Sequence, residues 1–429
     1  LITILVIVLL HSITTIGQKT YPNLEASKNS LNYKGNPANA TDRKPLAFSD
    51  KGAWFGFGFL DSSNAQGGFS GPYLLTEQNG VWISPSFVSL HLTNKNQQEL
   101  INWKISLVDQ RSYNSHLEQH FQNEKLVIKQ QLVFASGHSA IQKTSITNRS
   151  AKTITLFPFY DSKLFLKDLQ LSNENKILKI VSTKSKAEGY IQFSNANTIE
   201  ITKEGYKTQL EQITLKPKET VTIEVSQTYI FPQYSWEKEN QSLGEAKFNT
   251  ILTATQKDKE KQLTQLIAKK KSIYKEHSYS NVLAKLVLTL QNNSRIAVEG
   301  LKHDGVFPSY HYEWFNGFWA WDSWKHAVAL AEFNSDLAKN QMRAMFDFQE
   351  KNGFIPDCIY RDTSIEANNY RNTKAPLSAW AIWKIYEQTK DVDFLKEFYP
   401  KLTLYHSWWY KDRDHDQDGL CEFGSTDGA

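Results

Sequence analysis

TVTIEVSQTYIF, residues 220–231, is the stretch on which the architecture turns. Val221, Ile223 and Val225 alternate with polar neighbours, the period-2 pattern of a strand with one face buried. Past Gln233 the texture changes. Residues 245–276 lose their turns and become Lys-rich, with Leu263, Leu266, Ile267, Ile273 and Tyr274 on one helical face. Residues 220–231 therefore close a run of strands, and helices follow.

Upstream, from about Trp54, short β-type runs recur between Asn, Gly and Lys turns: VSLHL (88–92), KLVIKQQLVF (125–134) and KTITLFPFY (152–160). Many strands with no helical pattern between them predict an antiparallel sandwich. Downstream of Tyr279, Leu283, Leu286, Val287 and Leu290 follow i, i+3, i+4, i+7, and the segments 321–332, 335–350, 376–389 and 391–411 read as helices. Two of them are aromatic on more than one side: Trp380, Trp383 and Tyr386 in one, Phe398, Tyr399, Tyr405, Trp408 and Trp409 in the other. That is expected of an inner layer in an α/α-toroid built from stacked helical hairpins.

The 429 residues, 40% hydrophobic, are enough for more than one domain. A net charge of +4 with scattered lysines is not a nucleic-acid footprint, and the basic helix near 245–276 reads as a solvated face. The chain opens LITILVIVLLHSITTIGQ, the apolar core and small-residue tail of a secretory signal, with cleavage expected near Gly17. A periplasmic or secreted protein follows. Cys358 and Cys421 make no disulfide framework, and no Cys stands at the cleavage point to take a lipid anchor.

FWAWDSWKHA, residues 318–327, places Asp322, Lys325 and His326 on one helical face and Trp321, Trp324 and Val328 on another, expected to be polar and buried respectively. Trp319 and Trp321 offer flat apolar plates, and Asp322 can accept two hydroxyl hydrogen bonds. A pyranose, with an apolar C–H face and a rim of hydroxyls, needs that combination. Spacing alone does not separate this from a packing role, with the tryptophans filling a core and Asp322 facing the positive helix end. Three polar and aromatic loops lie nearby: HDGVFPSYHYEWFNG (303–317), GFIPDCIYRD (353–362) and NNYRNTKAPLSAW (368–380). In a toroid, loops at one end of the helices line a common pocket.

WFGFGFLDSSNAQGGFSGPYLLTEQNG (54–80), FWAWDSWKHAVALAEFNSDLAKNQMRAMF (318–346), GFIPD (353–357), RNTKAPLSAW (371–380) and FYPKLTLYHSWWYKDRDHDQDGLCEFG (398–424) resemble glycoside hydrolase family 63, the family of processing α-glucosidase I and bacterial periplasmic α-glucosidases. The resemblance implies a β-sandwich packed on an (α/α)6 barrel and hydrolysis of α-glucosidic bonds of oligosaccharides with inversion. It places Asp322 in the subsite for the non-reducing glucose, with Trp319 and Trp321 beside it; Lys325 completes the expected substrate-binding set. The expected fold class is thus multi-domain β + α: a partial signal peptide at 1–17, a β-sandwich at 18–235, a linker helix region at 236–279, and the first half of an (α/α)6 barrel at 280–429. Inversion needs a carboxylic acid to protonate the leaving oxygen and a carboxylate to activate water. The family's acid lies C-terminal to the stretch ending FGSTDGA and its base farther on, which places both beyond Ala429. The expectation is therefore a fragment at both termini that lacks acid and base and is itself inactive. Asp304, Glu313, Asp357, Asp362 and Glu366 lie in candidate pocket loops, where most carboxylates are only solvated or cap a helix.

RDHDQDGLCE, residues 413–422, is close to the D-x-D-x-D-G start of a calcium loop. Asp414, Asp416, Asp418, the Leu420 carbonyl and Glu422 are the expected oxygen ligands of a structural Ca²⁺. The loop is shorter than an EF-hand, and the family resemblance also implies calcium here. The QGGFSG stretch at 66–71 lacks the strand-loop-helix context of a phosphate cradle and reads as a tight turn leading toward the pocket rim. Other readings stay open: a trehalase, a glucosylglycerate or mannosylglycerate hydrolase, a phosphorylase or another toroid enzyme, or a carbohydrate-binding protein without catalysis.

Overall fold

The computed structural model describes residues 20–274, 276–370 and 375–422. The signal-like segment 1–17, residues 371–374 of RNTKAPLSAW, and the closing FGSTDGA that runs to Ala429 lie outside the described residues. The expectation that the acid and base follow Ala429 therefore also falls outside them.

The N-terminal region is a large β-sandwich-like body. Its main sheet is antiparallel, in the order Leu169–Glu174, Ile177–Ser182, Glu188–Phe193, Thr220–Ile230, Ser139–Asn148, Leu126–Phe134, Leu117–Gln122, Leu107–Ser112. Thr220–Ile230 sits in its middle, paired with Ser139–Asn148 on one side and Glu188–Phe193 on the other. Ile223 and Val225 are buried while Thr220, Thr222 and Glu224 are not, as the alternation requires. A facing sheet is built around Ile154–Lys163, which pairs with Gly205–Leu210, Ser89–Thr93 and Ile213–Leu215. Phe55, Phe57, Phe134, Tyr160, Leu117, Ile128 and Ile146 fill the space between the sheets.

Within the Gly-rich stretch Gln66 is exposed while the residues after it are buried. Gly67 is buried inside the sandwich against the Leu90 carbonyl and Gly68 against that of Val88. Their carbonyls are taken by a row of buried glutamines on successive strands: Gln130 donates to the Gly67 carbonyl at 2.8 Å and Gln119 to the Gly68 carbonyl at 3.0 Å. Gln119 also donates to Gln130, and Gln110 to the Leu60 carbonyl. Buried backbone that belongs to no ladder needs such partners, since an unmet polar group costs about 1–3 kcal/mol.

Helices follow from Trp236. The helix expected over 245–276 is two helices, Trp236–Glu245 and Phe248–Ala268, followed by a short turn at Ser272–Tyr274. Leu263 and Leu266 are buried against Leu24, Tyr113, Ala284 and Val287, but Ile273 is 74% exposed and Tyr274 also stands in solvent. The helix ends at the run Lys269–Lys271, so the last two positions of the expected stripe never join it. This segment ties the two regions together: Lys259 pairs with buried Asp50 at 2.7 Å, and Glu260 accepts from the backbone of Asn23 and Leu24.

Beyond it lie His277–Asn293, Ala320–Ala331, Ser335–Phe346, Ser378–Thr389 and Val392–Asp412. Ala320–Ala331 packs on the two helices after it, and Ser378–Thr389 on Val392–Asp412. The helix expected to run to 350 stops at Phe346, where Asp347 meets His303 at 2.7 Å. The inner aromatic layer is partly realised. Phe398, Tyr405, Trp408 and Trp409 are buried, whereas Ser378–Thr389 packs through Ala381, Ile382 and Ile385 and leaves Trp380 and Trp383 exposed. Among the described residues no helix is long and apolar enough to cross a membrane.

Candidate functional site

The site is built where a short strand runs directly into a helix. Phe318–Trp319 pairs antiparallel with Cys358–Ile359, and the Ala320 amide donates to the Asp357 carbonyl at 2.7 Å. Helix Ala320–Ala331 starts at once, so Trp319 occupies the N-cap position in extended conformation and Asp322 falls in the first turn. A carboxylate is favoured there by the unpaired amides and the positive end of the helix dipole. Trp319 is partly buried and meets the Phe315 ring edge-on at 5.5 Å.

The two expected helix faces are arranged differently. The buried stripe is Ala320, Ser323, Trp324, Ala327, Leu330 and Ala331. It is centred one position away from the expected one, which leaves Trp321 at its margin and 42% exposed. The Lys325 ammonium sits 3.7 Å from the Trp321 ring centroid, so one face of this plate carries the lysine's charge. His326, expected on the polar face, is partly covered; burial pulls its pKa down to about 4, with the nearby Lys325 acting in the same direction, so the ring is neutral at pH 7.

Two loop carboxylates, Asp357 and Glu366, share the surroundings of Cys358 with Asp322. Asp357 is 1% exposed and precedes the strand paired with Trp319. The neighbouring Cys358 thiol is pushed up by burial, and Asp357, Glu366 and Asp322 all act on it in the same sense, which puts the three around one buried sulfur. The Tyr405 hydroxyl, raised to about 12 mainly by burial and further by Asp357, brings helix Val392–Asp412 to the same place. Gly317 is required here, since a Cβ would lie 2.6 Å from the Cys358 sulfur. The other loop carboxylates do not join: Asp304 accepts from the Ala297 amide, Asp362 pairs with Lys186 and Ser364, and Glu313 lies exposed in a short turn. Sequence reasoning named Asp357 and Glu366 only among five loop carboxylates; the signal that singles them out is the GFIPD loop pairing beside Trp319.

The acidic loop near the C-terminal end gathers Asp414, Asp416 and Glu422, with one oxygen of each within 4.8 Å of the others. The Gly419 amide holds Asp414 at 3.1 Å and the His415 amide holds Glu422 at 2.9 Å. Gly419 takes φ +87°, the left-handed turn that a glycine permits. Asp418 is outside the trio: it accepts from the Leu420 amide at 2.8 Å. The Leu420 side chain is exposed.

Residues 316–428, which hold both constellations, match the mannosylglycerate hydrolase MGH1-like glycoside hydrolase domain, and residues 32–212 match the N-terminal domain of glucosidase YgjK. Mannosylglycerate hydrolase MGH2 of Selaginella moellendorffii is 24% identical over 120 residues, 24% of this chain and 25% of that protein. Mannosylglycerate hydrolase of Thermus thermophilus is 27% identical over 156 residues, 32% of this chain and 35% of that protein. The matches thus span about a quarter to a third of the length of these curated relatives. In fold, the chain resembles a solved structure described as a candidate kojibiose phosphorylase from human microbiome, with TM-score 0.55 and 10% identity over 93% of this chain and 59% of that one. The chain therefore carries a helical region similar to glycoside hydrolase domains behind a sandwich similar to that of a glucosidase, and its likenesses are to glycosidase-type sugar enzymes.

Proposed function

We propose that this chain belongs to an exported glycosidase of the family 63 type, which cleaves α-glucosidic bonds of oligosaccharides with inversion, and that its helices are the first half of an (α/α)6 barrel. The observation that carries the reading is that Asp322, in the first helical turn after Trp319, Asp357, beside the strand paired with Trp319, and Glu366 all act on the buried Cys358 thiol, within the stretch that matches a glycoside hydrolase domain. Trp319 and Asp322 hold the terminal glucose: the ring packs its C–H face on the indole and two of its hydroxyls donate to the carboxylate. Trp321 and Lys325 form the rim. The residues assigned here bind, and none of them is given the role of acid or base.

Asp322→Asn tests this. Hydrogen bonds to a charged group contribute about 1.5–3 kcal/mol, and each 1.4 kcal/mol is tenfold, so affinity for nigerose or kojibiose falls by roughly one to two decades. Calorimetry measures the affinity and a thermal melt shows an unchanged fold; undiminished binding rejects the assignment.

A second reading, hydrolysis of mannosylglycerate, is favoured by the domain match and by Lys325, whose ammonium on the Trp321 plate suits a glycerate carboxylate. Parallel titrations with mannosylglycerate and the α-glucobiosides separate the two. Tighter binding of the glycerate, lost in Lys325→Gln, selects it.

We also assign a structural Ca²⁺ to the acidic loop. Asp414 Oδ1 is buried without a hydrogen-bond partner, and three carboxylates this close repel one another unless a cation joins them. Asp414, Asp416 and Glu422 are the carboxylate ligands, with Asp418 and the Leu420 carbonyl completing the set on closure of the loop. Added Ca²⁺ is expected to raise the melting temperature and chelation to lower it, and Asp416→Ala to remove both shifts; a parent that melts identically with and without Ca²⁺ rejects the site.

A further inference from the structure

The sandwich turn TEQNG, residues 76–80, reaches across to the loops that flank Trp319. Gln78 Nε2 donates to Glu366 at 2.6 Å, and Asn316 Nδ2 donates to Asn79 Oδ1 at 2.7 Å. The root of the turn is locked: Arg361 Nη2 donates to the Thr76 carbonyl at 2.7 Å, and Ser182 to the buried Glu77 carboxylate at 2.6 Å. Gln78 and Asn79 are themselves only partly buried, and they stand on an anchored turn with their amides at the site.

Glu366 thus has a donor from each region. The Tyr360 hydroxyl reaches it from within its own loop, and the Gln78 amide from the sandwich, 288 residues away in sequence. A glutamate on a partly exposed loop otherwise samples several rotamers, and ordering it costs free energy when a ligand binds. Two fixed donors remove that cost beforehand and leave the remaining carboxylate lone pairs to accept. Asn316 is three residues from Trp319, and Glu366 acts on the same buried thiol as Asp322, so the turn and this carboxylate border the plate and acceptor assigned to the first sugar ring.

We propose that Glu366 is a second hydroxyl acceptor of the sugar site and that Gln78, from the other domain, is its positioning residue. The sandwich then takes part in substrate recognition, with the turn as one wall of the site, and a substrate long enough to meet that wall gains from it: a disaccharide more than glucose. The inference rests on the sugar-site reading above.

A double-mutant cycle on the full chain tests it, with nigerose, kojibiose and glucose as probes in titration calorimetry and a thermal melt alongside. Gln78→Ala and Glu366→Gln are each expected to weaken disaccharide binding about tenfold and glucose binding less than twofold. The double variant is expected to be no weaker than Glu366→Gln alone, because Gln78 acts only through Glu366. Melting temperatures stay put. A parent that binds none of the three sugars overturns the sugar-site reading and this inference together. A parent that binds, with Gln78→Ala indistinguishable from it, overturns this inference alone. So does an additive double variant, or a loss of affinity that tracks a lowered melting temperature, since either reports a merely structural amide.

Discussion

Gly67→Ala is expected to leave the sandwich unfolded at ordinary temperature. A Cβ at this position would lie 2.0 Å from the Leu90 carbonyl oxygen and 2.8 Å from the Trp103 ring. The first neighbour is backbone within Ser89–Thr93, a strand held along Ile154–Lys163, so neither partner can step aside without breaking the sheet. Moving the segment instead strips the Gly67 carbonyl of both its donors, the Leu90 amide at 3.0 Å and Gln130 at 2.8 Å. Overpacking by one methyl costs about 1–3 kcal/mol and each of the three stranded polar groups about as much again, a total of about 4–12 kcal/mol that is comparable with the whole 5–15 kcal/mol stability of an ordinary domain. Gly244→Ala is the matched control. A Cβ there meets nothing within 4 Å, near the end of helix Trp236–Glu245, and alanine is the better helix former. Circular dichroism and a thermal melt of the two variants check the pair: loss of β signal for Gly67→Ala, an unchanged or slightly raised melting temperature for Gly244→Ala.

Arg361→Met is expected to cost about 3–5 kcal/mol, the range for removing one partner of a buried ion pair. Arg361 and Glu299 are paired with side chains 5% and 7% exposed. The guanidinium also donates to the Thr76 carbonyl and lies over the rings of Trp54 and Phe231, at 5.6 Å and 5.3 Å. Glu299 and Arg361 belong to the helical region, while Thr76 and Trp54 belong to the sandwich and Phe231 directly follows its last strand, so the pair clamps the two together. Methionine keeps the apolar volume over the rings but strands the Glu299 carboxylate with only Lys186 at 3.3 Å. The reverse side of the same physics is that Arg361→Met with Glu299→Leu recovers much of the loss, since no charge is left buried. Urea unfolding of the single and double variants measures both. A single variant as stable as the parent would show that the charge pair contributes nothing across the interface.

Much of the fold is legible one element at a time. The alternation at Val221, Ile223 and Val225 marks a half-buried strand because side chains leave a strand to opposite faces. The helices beginning near 320, 335, 378 and 392 are legible because their apolar spacing and caps are local; Asn334 and Asp391 each cap a helix with their own side chain. Elements whose partners lie elsewhere in the chain are less legible. The helix expected to carry Ile273 and Tyr274 on its stripe ends at Ala268, and the helix expected to 350 yields to the contact between Asp347 and His303. QGGFSG reads only as a tight turn because the burial of Gly67 and Gly68 depends on glutamines from strands not yet reached in sequence.

The candidate site divides along the same line. Asp322 in a first turn beside Trp319, and the Asp414, Asp416, Glu422 group on a Gly-containing loop, follow from residue type and spacing within ten residues, where chain geometry alone sets the distances. That Asp357 and Glu366, of the five loop carboxylates, act with Asp322 on the Cys358 thiol follows from the pairing of Phe318–Trp319 with Cys358–Ile359. That Trp321 stands out in solvent under Lys325 is decided by which helices pack on Ala320–Ala331. The bond from Gln78 to Glu366 has no local signature at all. By itself the sequence determined where most strands and helices form and which short segments carry the aromatic and carboxylate groups of the proposed sugar and metal sites, because those depend on local periodicity. The tertiary structure alone decided which of these segments meet, because contacts between residues hundreds of positions apart depend on how the whole core packs.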